Sequence, residues 1–238
     1  MHYVGSKNRL AKDIIPIIQS FITPATRGYI EPFVGGANVL DKIAHHNRIG
    51  CDLHHYLIAV LNAFADGWVP PKSITEDEYA EIKKSPESYP DYLVGYAGFQ
   101  LSFGGRWFGV YRRDKLGKRN YAEEAHRESL KQLPLLKGCK FYECDFRKIN
   151  PEELSGYVIY CDPPYKDTFS YSVNFPYEEF YAWVRSASKN NVVLVSEYNM
   201  PEDFTCIWSK ERSVFLNNDA IREDRKPTVE KLYRYIPQ

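Results

Sequence analysis

The sequence predicts an α/β fold: a mostly parallel sheet with a terminal antiparallel strand pair, interrupted by a mostly helical insert. Three observations predict it. Short β-rich runs alternate with helical periods at both ends of the chain, which is the unit of a parallel sheet. An acid or a glycine pair stands where several of those runs end, at Glu31, Gly35-Gly36, Asp52, Asp145 and Asp162. Between about 67 and 137 the alternation stops, replaced by helical periods and one glycine-rich, basic loop.

Taken in order, residues 7–21 carry Leu10, Ile14, Ile17, Ile18 and Phe21 at a helical period, with Ser6 as N-cap. Gly28-Tyr29-Ile30 reads as the first strand, followed by a helix from about Ala37 to Ala44. Arg48–Cys51 is the second strand, and a helix from about His55 to Ala65 follows it. Trp68-Val69-Pro70-Pro71 then breaks the chain. Residues 75–101 read as two helices, and Ala122–Leu136 as a third. The alternation resumes with strands at Phe141–Glu143 and Tyr157–Cys161, a helix near 177–188 and a strand at Val192–Val195. Phe204–Ser209 and Leu232–Ile236 form the terminal pair. The division is a sheet domain of residues 1–66 and 138–238 with an insert at 67–137.

At 238 residues the chain suits one domain with a sizeable insert, and 44% hydrophobic with 26% charged residues is an ordinary soluble composition. The formal net charge is zero, so no global charge argues for nucleic acid or membrane. No apolar run approaches the roughly 18 residues a membrane span needs, and no signal-peptide core is visible. The five cysteines show no CxxC spacing, so neither a disulfide framework nor a metal site is expected. The expected setting is reducing and cytoplasmic.

The stretch with the most chemistry is Val158-Ile159-Tyr160-Cys161-Asp162-Pro163-Pro164-Tyr165. Two prolines lead the chain rigidly out of a buried strand, because neither can donate a ladder hydrogen bond. A carboxylate is left at the strand's carboxyl end, the edge where open α/β sheets bind ligands. Taken alone, Asp-Pro-Pro-Tyr also reads as a surface turn. Glu31-Pro32-Phe33-Val34-Gly35-Gly36 places a glycine pair between strand and helix, where backbone and ligand can approach closely, although such pairs are often mere punctuation. Asp52 suits a ribose diol or the cap of the next helix. Asp145-Phe146 suits an adenine ring or another cap. Together these strand ends read as a nucleoside pocket beside a site for a flat, amine-bearing substrate.

FVGG after the first strand, Asp52 after the second and YCDPPY after the fourth resemble the Dam-like (D12 class) adenine-N6-specific DNA methyltransferases. YVGSKNRL at the start and VLVSEYN near the end extend the resemblance over nearly the whole chain, and the GGRWFG loop is similar to phage and prophage members. Ala37-Asn38 departs from the family, where a third glycine is common. The resemblance implies a Rossmann-like S-adenosylmethionine-dependent methyltransferase fold with a target-recognition insert. It implies that Asp162 and the Pro163 carbonyl orient the adenine amine, that Pro164 keeps the turn rigid, and that Tyr165 stacks on a flipped base. Tyr3, Gly5, Lys7, Glu31, Phe33, Gly35 and Gly36 would hold the methionine end of S-adenosyl-L-methionine, Asp52 its ribose, and Asp145 and Phe146 its adenine.

Arg106, Arg112, Arg113, Lys115, Lys118 and Arg119 against Asp114 give the loop a local net charge of about +5. Interleaved with Trp107 and Asn120, they suit phosphate and base contacts on double-stranded DNA. Lys226, Thr228 and Lys231 are weaker candidates for phosphate or active-site contact. A charge run is most often a solvated face. A compact insert of this length implies recognition of few bases or a relaxed specificity, by a monomer or weak dimer. Methylation of RNA adenine or of a protein amide is the enzymatic alternative. A DNA-binding protein without turnover is the non-enzymatic one.

Overall fold

The computed structural model describes residues 1–114, 116–165, 175–212 and 228–237. Its sheet has seven strands: β1 (Gly28–Glu31), β2 (Arg48–Asp52), β3 (Lys140–Glu143), β4 (Tyr157–Cys161), β5 (Val192–Glu197), β6 (Phe204–Arg212) and β7 (Thr228–Tyr235). The strand order is β3-β2-β1-β4-β5-β7-β6. β1 to β5 run parallel, and β7 lies antiparallel between β5 and β6. The order reverses between β1 and β4, which pair directly, so the turns leaving those two strands flank the crevice where this class of sheet takes its ligands.

Both faces of the sheet are covered, which is why its strands read as continuous apolar runs. Val158 and Tyr160 of β4 face a core formed with α1 (Ala11–Ser20), α2 (His55–Ala65) and the insert. Ile159 and Cys161 face a second core built on α6 (Tyr177–Ala187). Asp162, two residues beyond Tyr160, continues the first face.

The insert supplies α3 (Glu76–Lys84), α4 (Asp91–Gln100) and α5 (Tyr121–Leu136). Thr75 starts α3 with a reciprocal capping box to Glu78. The insert is not a separate globule. Tyr79, Val94, Tyr96, Phe99, Leu133 and Leu136 belong to the same buried cluster as Leu57, Leu61 and Tyr160. Helices α2 and α4 approach so closely that a Cβ on Gly95 would lie 2.0 Å from the Tyr56 carbonyl oxygen.

One expected element is absent as a helix. Residues 37–44 form turns around a three-residue 3-10 segment, Leu40–Lys42. Gly35 and Ala37 both adopt positive φ, at 46° and 55°, and two left-handed residues so close together stop a helix from starting. The terminal pair is longer than the sequence suggests, because β6 and β7 stay paired from Phe204↔Tyr235 to Arg212↔Thr228.

Gly95→Ala should therefore lower stability by roughly 1–3 kcal/mol or more, the usual cost of overpacking. Equilibrium denaturation of the variant measures it. An unchanged midpoint would contradict the close α2–α4 crossing.

Candidate active site at the carboxyl edge of the sheet

The first side chain to reach the edge of the sheet comes from the N-terminal segment. Ser6 Oγ accepts from the Asn8 amide and caps a single 3-10 turn, Lys7–Arg9, and that turn directs Lys7 inward. Lys7 is 7% exposed, and its Nζ lies 2.7 Å from Asp162 Oδ1 and 3.3 Å from Glu230 Oε1. Burial opposes the ammonium, but the two carboxylates outweigh it and hold its pKa above the ordinary lysine value. The same burial raises the Asp162 carboxyl above the usual carboxylate range, against the pull of Lys7. Tyr165 donates its phenolic hydrogen to Glu230 Oε1. The Tyr165 ring meets Tyr198 edge-on at 4.7 Å, with Lys7 Nζ 4.4 Å from its centroid. Beyond the motif, Tyr177 Oη donates to the Pro164 carbonyl at 3.0 Å and pins the rigid turn to α6.

The expected cofactor residues gather at the ends of β1, β2 and β3. Glu31 is buried and accepts from Tyr29 Oη at 2.7 Å. Burial lifts its pKa well above the carboxylate range, although the Tyr29 bond pulls the other way. Gly35 and Gly36 lie against Tyr3: a Cβ on Gly35 would sit 3.0 Å from the Tyr3 ring, so glycine is required here by a side chain of the same chain. Asp52 accepts from the Gly35 amide at 3.1 Å and the His54 amide at 3.2 Å, which ties the glycine turn to the end of β2. Burial raises its pKa against those backbone bonds. Phe33 and Phe146 meet at 5.6 Å, with Phe180 against both. Asp145 caps the 3-10 turn Phe146–Lys148 and takes Arg147 in a bidentate pair, so its pKa falls. Gly5 is exposed at positive φ. Lys7, expected among these residues, instead stands with Asp162 and Glu230.

The donor set fits S-adenosylmethionine. A methionine ammonium and a sulfonium want acidic surroundings, a ribose diol wants a bidentate carboxylate, and an adenine wants aromatic walls. Glu31, Asp52 and the Phe33–Phe146 pair present these at three consecutive strand ends. A separate shallow depression, lined by Gln19, Thr23, Thr26, His45 and His46, lies beside the amino ends of β1 and β2. The His45 ring there is occupied by the Asn47 and Thr26 carbonyls.

The basic loop is ordered as a short hairpin. Ser102 bridges Tyr111, and the Phe103 amide donates to the Val110 carbonyl at 2.7 Å. Phe103 and Val110, opposite each other, are 74% and 69% exposed, with Arg106 exposed between them. Trp107 turns inward instead. It stacks on Tyr56 at 5.2 Å and packs against His54 and Phe99. Arg112 bonds the Gln100 carbonyl, Arg113 pairs with Glu76, and Arg119 makes a bidentate pair with Glu124. Asn120 caps α5, and Lys118 is exposed. Asp114 organises this stretch by accepting from the Leu116, Lys118 and Arg119 amides. Lys115 and Lys226 lie outside the described residues, as does the side chain of Thr228. Lys231 contacts Asn199. Glu230, Tyr198 and Phe103 were not among the expected site residues. Tyr198 stands within VLVSEYN, whereas Glu230 and Phe103 lack a motif, and their available signals were an acid on the inner face of a strand and an exposed aromatic at a turn.

The sheet order, with acids along the carboxyl edge and an Asp-Pro-Pro-Tyr turn after β4, is the Rossmann-like arrangement that the sequence predicts: parallel strands flanked by a terminal antiparallel pair. Residues 3–97 match the family model described as D12 class N6 adenine-specific DNA methyltransferase, so the Dam-like resemblance holds over that stretch. No curated protein matches the chain in sequence. Among solved structures, it is similar to the rRNA methyltransferase aviRa from Streptomyces viridochromogenes, with TM-score 0.44 and 13% identity over 98% of this chain and 86% of that one. It is also similar to the magnesium protoporphyrin IX methyltransferase from Synechocystis, solved with its methyl donor bound, with TM-score 0.38 and 8% identity over 96% and 79%. No helix among the described residues is long and apolar enough to cross a membrane.

His55 offers a pH test of the edge. Its Nε2 lies 2.8 Å from Asp91 at the start of α4, and its Nδ1 lies 2.8 Å from Glu143 at the end of β3. Those two hydrogen bonds raise its pKa. The sign follows from linkage: the stabilisation is complete below the unfolded pKa of about 6.5 and is lost as pH rises through the higher folded value. The thermal midpoint of wild type should thus exceed that of His55→Gln most at about pH 5.5. The gap should shrink with increasing pH; a gap that widens refutes the bridge.

Proposed function

We propose that the chain transfers the methyl group of S-adenosyl-L-methionine to the N6 amine of an adenine swung out of double-stranded DNA. The observation that carries this reading is Asp162 at the end of β4, its Oδ1 held by Lys7 and its neighbour Tyr165 fixed by Glu230. The lone pair of an adenine amine is delocalised into the ring. Asp162 and the Pro163 carbonyl would each accept one amine hydrogen, which localises the pair and aims it along one line. Tyr165 would hold the ring by stacking. S-adenosylmethionine supplies an electrophilic methyl, and Tyr3, Gly5, Phe33, Gly35 and Gly36 would seat its methionine end. Glu31, lifted in pKa by burial, gains a reason to ionise when a cation lies beside it. Asp52 would take the ribose, and Asp145 with Phe146 the adenine. The resting place of Lys7 between two carboxylates favours a role at the base rather than at the cofactor.

The hairpin supports a nucleic-acid substrate over a protein. Phe103 and Val110 form an apolar tip beside Arg106 that nothing in the chain covers among the described residues, and the exposed cations Arg113, Lys118 and Arg119 follow it in the chain. An apolar wedge with a cation beside it suits a duplex whose stack must open. A DNA substrate also places the protein in the cytoplasm.

Purified protein should put N6-methyladenine into mixed-sequence duplex DNA. Asp162→Ala should lower the rate by on the order of 10²–10³-fold while cofactor binding, measured by calorimetry, largely survives. Undiminished methylation in that variant would remove Asp162 from its role. Arg106→Ala should weaken duplex binding and reduce the slope of log affinity against log salt by about 1. A salt slope equal to wild type would take Arg106 off the phosphates.

A further inference from the structure

Glu230 belongs to none of the motifs that mark the site, and the match at residues 3–97 does not reach it. It lies near the start of β7 on the same face as Leu232, and both side chains are buried, at 1% and 0% exposure. An acid at such a position is costly to desolvate unless it is paired and hydrogen-bonded. Glu230 has both kinds of partner. It accepts the Tyr165 hydroxyl directly, and it shares the Lys7 ammonium with Asp162. A single carboxylate therefore touches the group that would support the base ring and, through one ammonium, the group that would accept the base amine.

We propose that Glu230 is a positioning residue for methyl transfer, holding Tyr165 and, by way of Lys7, Asp162 in one fixed relation. The inference rests on the function proposed above. Its physical basis is geometric. The adenine ring and its amine belong to one rigid, planar group, so their two supports must keep a constant spacing, and a displacement of about 1 Å can cost about 10²-fold in rate. Neither support is fixed by its own strand alone. Asp162 and Tyr165 lie on a turn beyond β4, whereas Glu230 lies within the antiparallel ladder of β5, β6 and β7. Lys7 enters from the opposite end of the chain, and the cap of its 3-10 turn by Ser6 sets its direction. In this arrangement Lys7 is a strut between two carboxylates.

The test compares full-length wild type with Glu230→Gln, Glu230→Asp and Lys7→Met. Glutamine keeps the size and can still accept from Tyr165, but it no longer holds the ammonium. Glu230→Gln should lower kcat on duplex DNA by about 10–100-fold, with cofactor affinity within about threefold of wild type and an unchanged KM for the cofactor. Glu230→Asp should recover part of kcat. Adding Glu230→Gln to Lys7→Met should cost less than it does in wild type, because the strut is already gone. An unchanged kcat, or a loss matched by an equal loss of cofactor affinity, overturns the proposal. A second readout needs no turnover: reductive methylation of amines in the cofactor-free protein, mapped by mass spectrometry. Lys7 should resist modification in wild type and react in Glu230→Gln. Equal reactivity in both overturns the strut. Should wild type fail to methylate adenine in any duplex, the proposed function falls, and the Lys7 reactivity alone then decides the network.

Discussion

Three distant parts of the chain meet at one ammonium. Lys7 from the N-terminal segment, Asp162 from the turn after β4 and Glu230 from the last strand share a buried contact at the carboxyl edge of the sheet. Any one of these charges alone would be expensive to bury. Together they offset part of that cost, and the arrangement exists only when β7 is paired beside β5 and the Ser6-capped turn is formed. This edge of the sheet is thus a product of the completed fold. It could not be assembled by a short peptide carrying Asp-Pro-Pro-Tyr.

A second consequence concerns charge. The chain is neutral as a whole, yet its polar groups are sorted by place. Acids occupy the carboxyl ends of β1, β2, β4 and β5, at Glu31, Asp52, Asp162 and Glu197, where a cationic methyl donor would lie. Five described cations, Arg106, Arg112, Arg113, Lys118 and Arg119, stand on the hairpin and the stretch just after it, where the proposed function would bring a polyanion. Two of them, Arg113 and Arg119, already have carboxylate neighbours in Glu76 and Glu124. These pairs are exposed and weak, so phosphate oxygens can replace the carboxylates at small cost.

The strand and helix periods were strong enough in the sequence to give α2, α5, α6 and every strand of the sheet within a few residues. The one helix that failed, at residues 37–44, failed because Ala37 adopts a left-handed conformation that no local preference of alanine signals. In the site, the strand-end residues were legible because turns leave acids and glycines visible. Trp107 was harder: basic neighbours suggested a surface role, but its ring fills the space between His54, Tyr56 and Phe99. Glu230 was hardest, since its meaning depends on Tyr165 and Lys7, 65 and 223 positions away in the chain. Partnerships of that range have no sequence period.

The packing of residues 67–137 limits how that stretch can vary. Helix α4 crosses α2 at backbone contact, and Trp107 of the hairpin rests on Tyr56 of α2. Residues 67–137 therefore cannot be exchanged as a cassette, because their removal would strip the face of α2 that closes the main core. Under the proposed function, specificity would change by point substitution at the exposed tip around Phe103, Arg106 and Val110. Those side chains carry little of the fold's stability and are open to replacement one at a time.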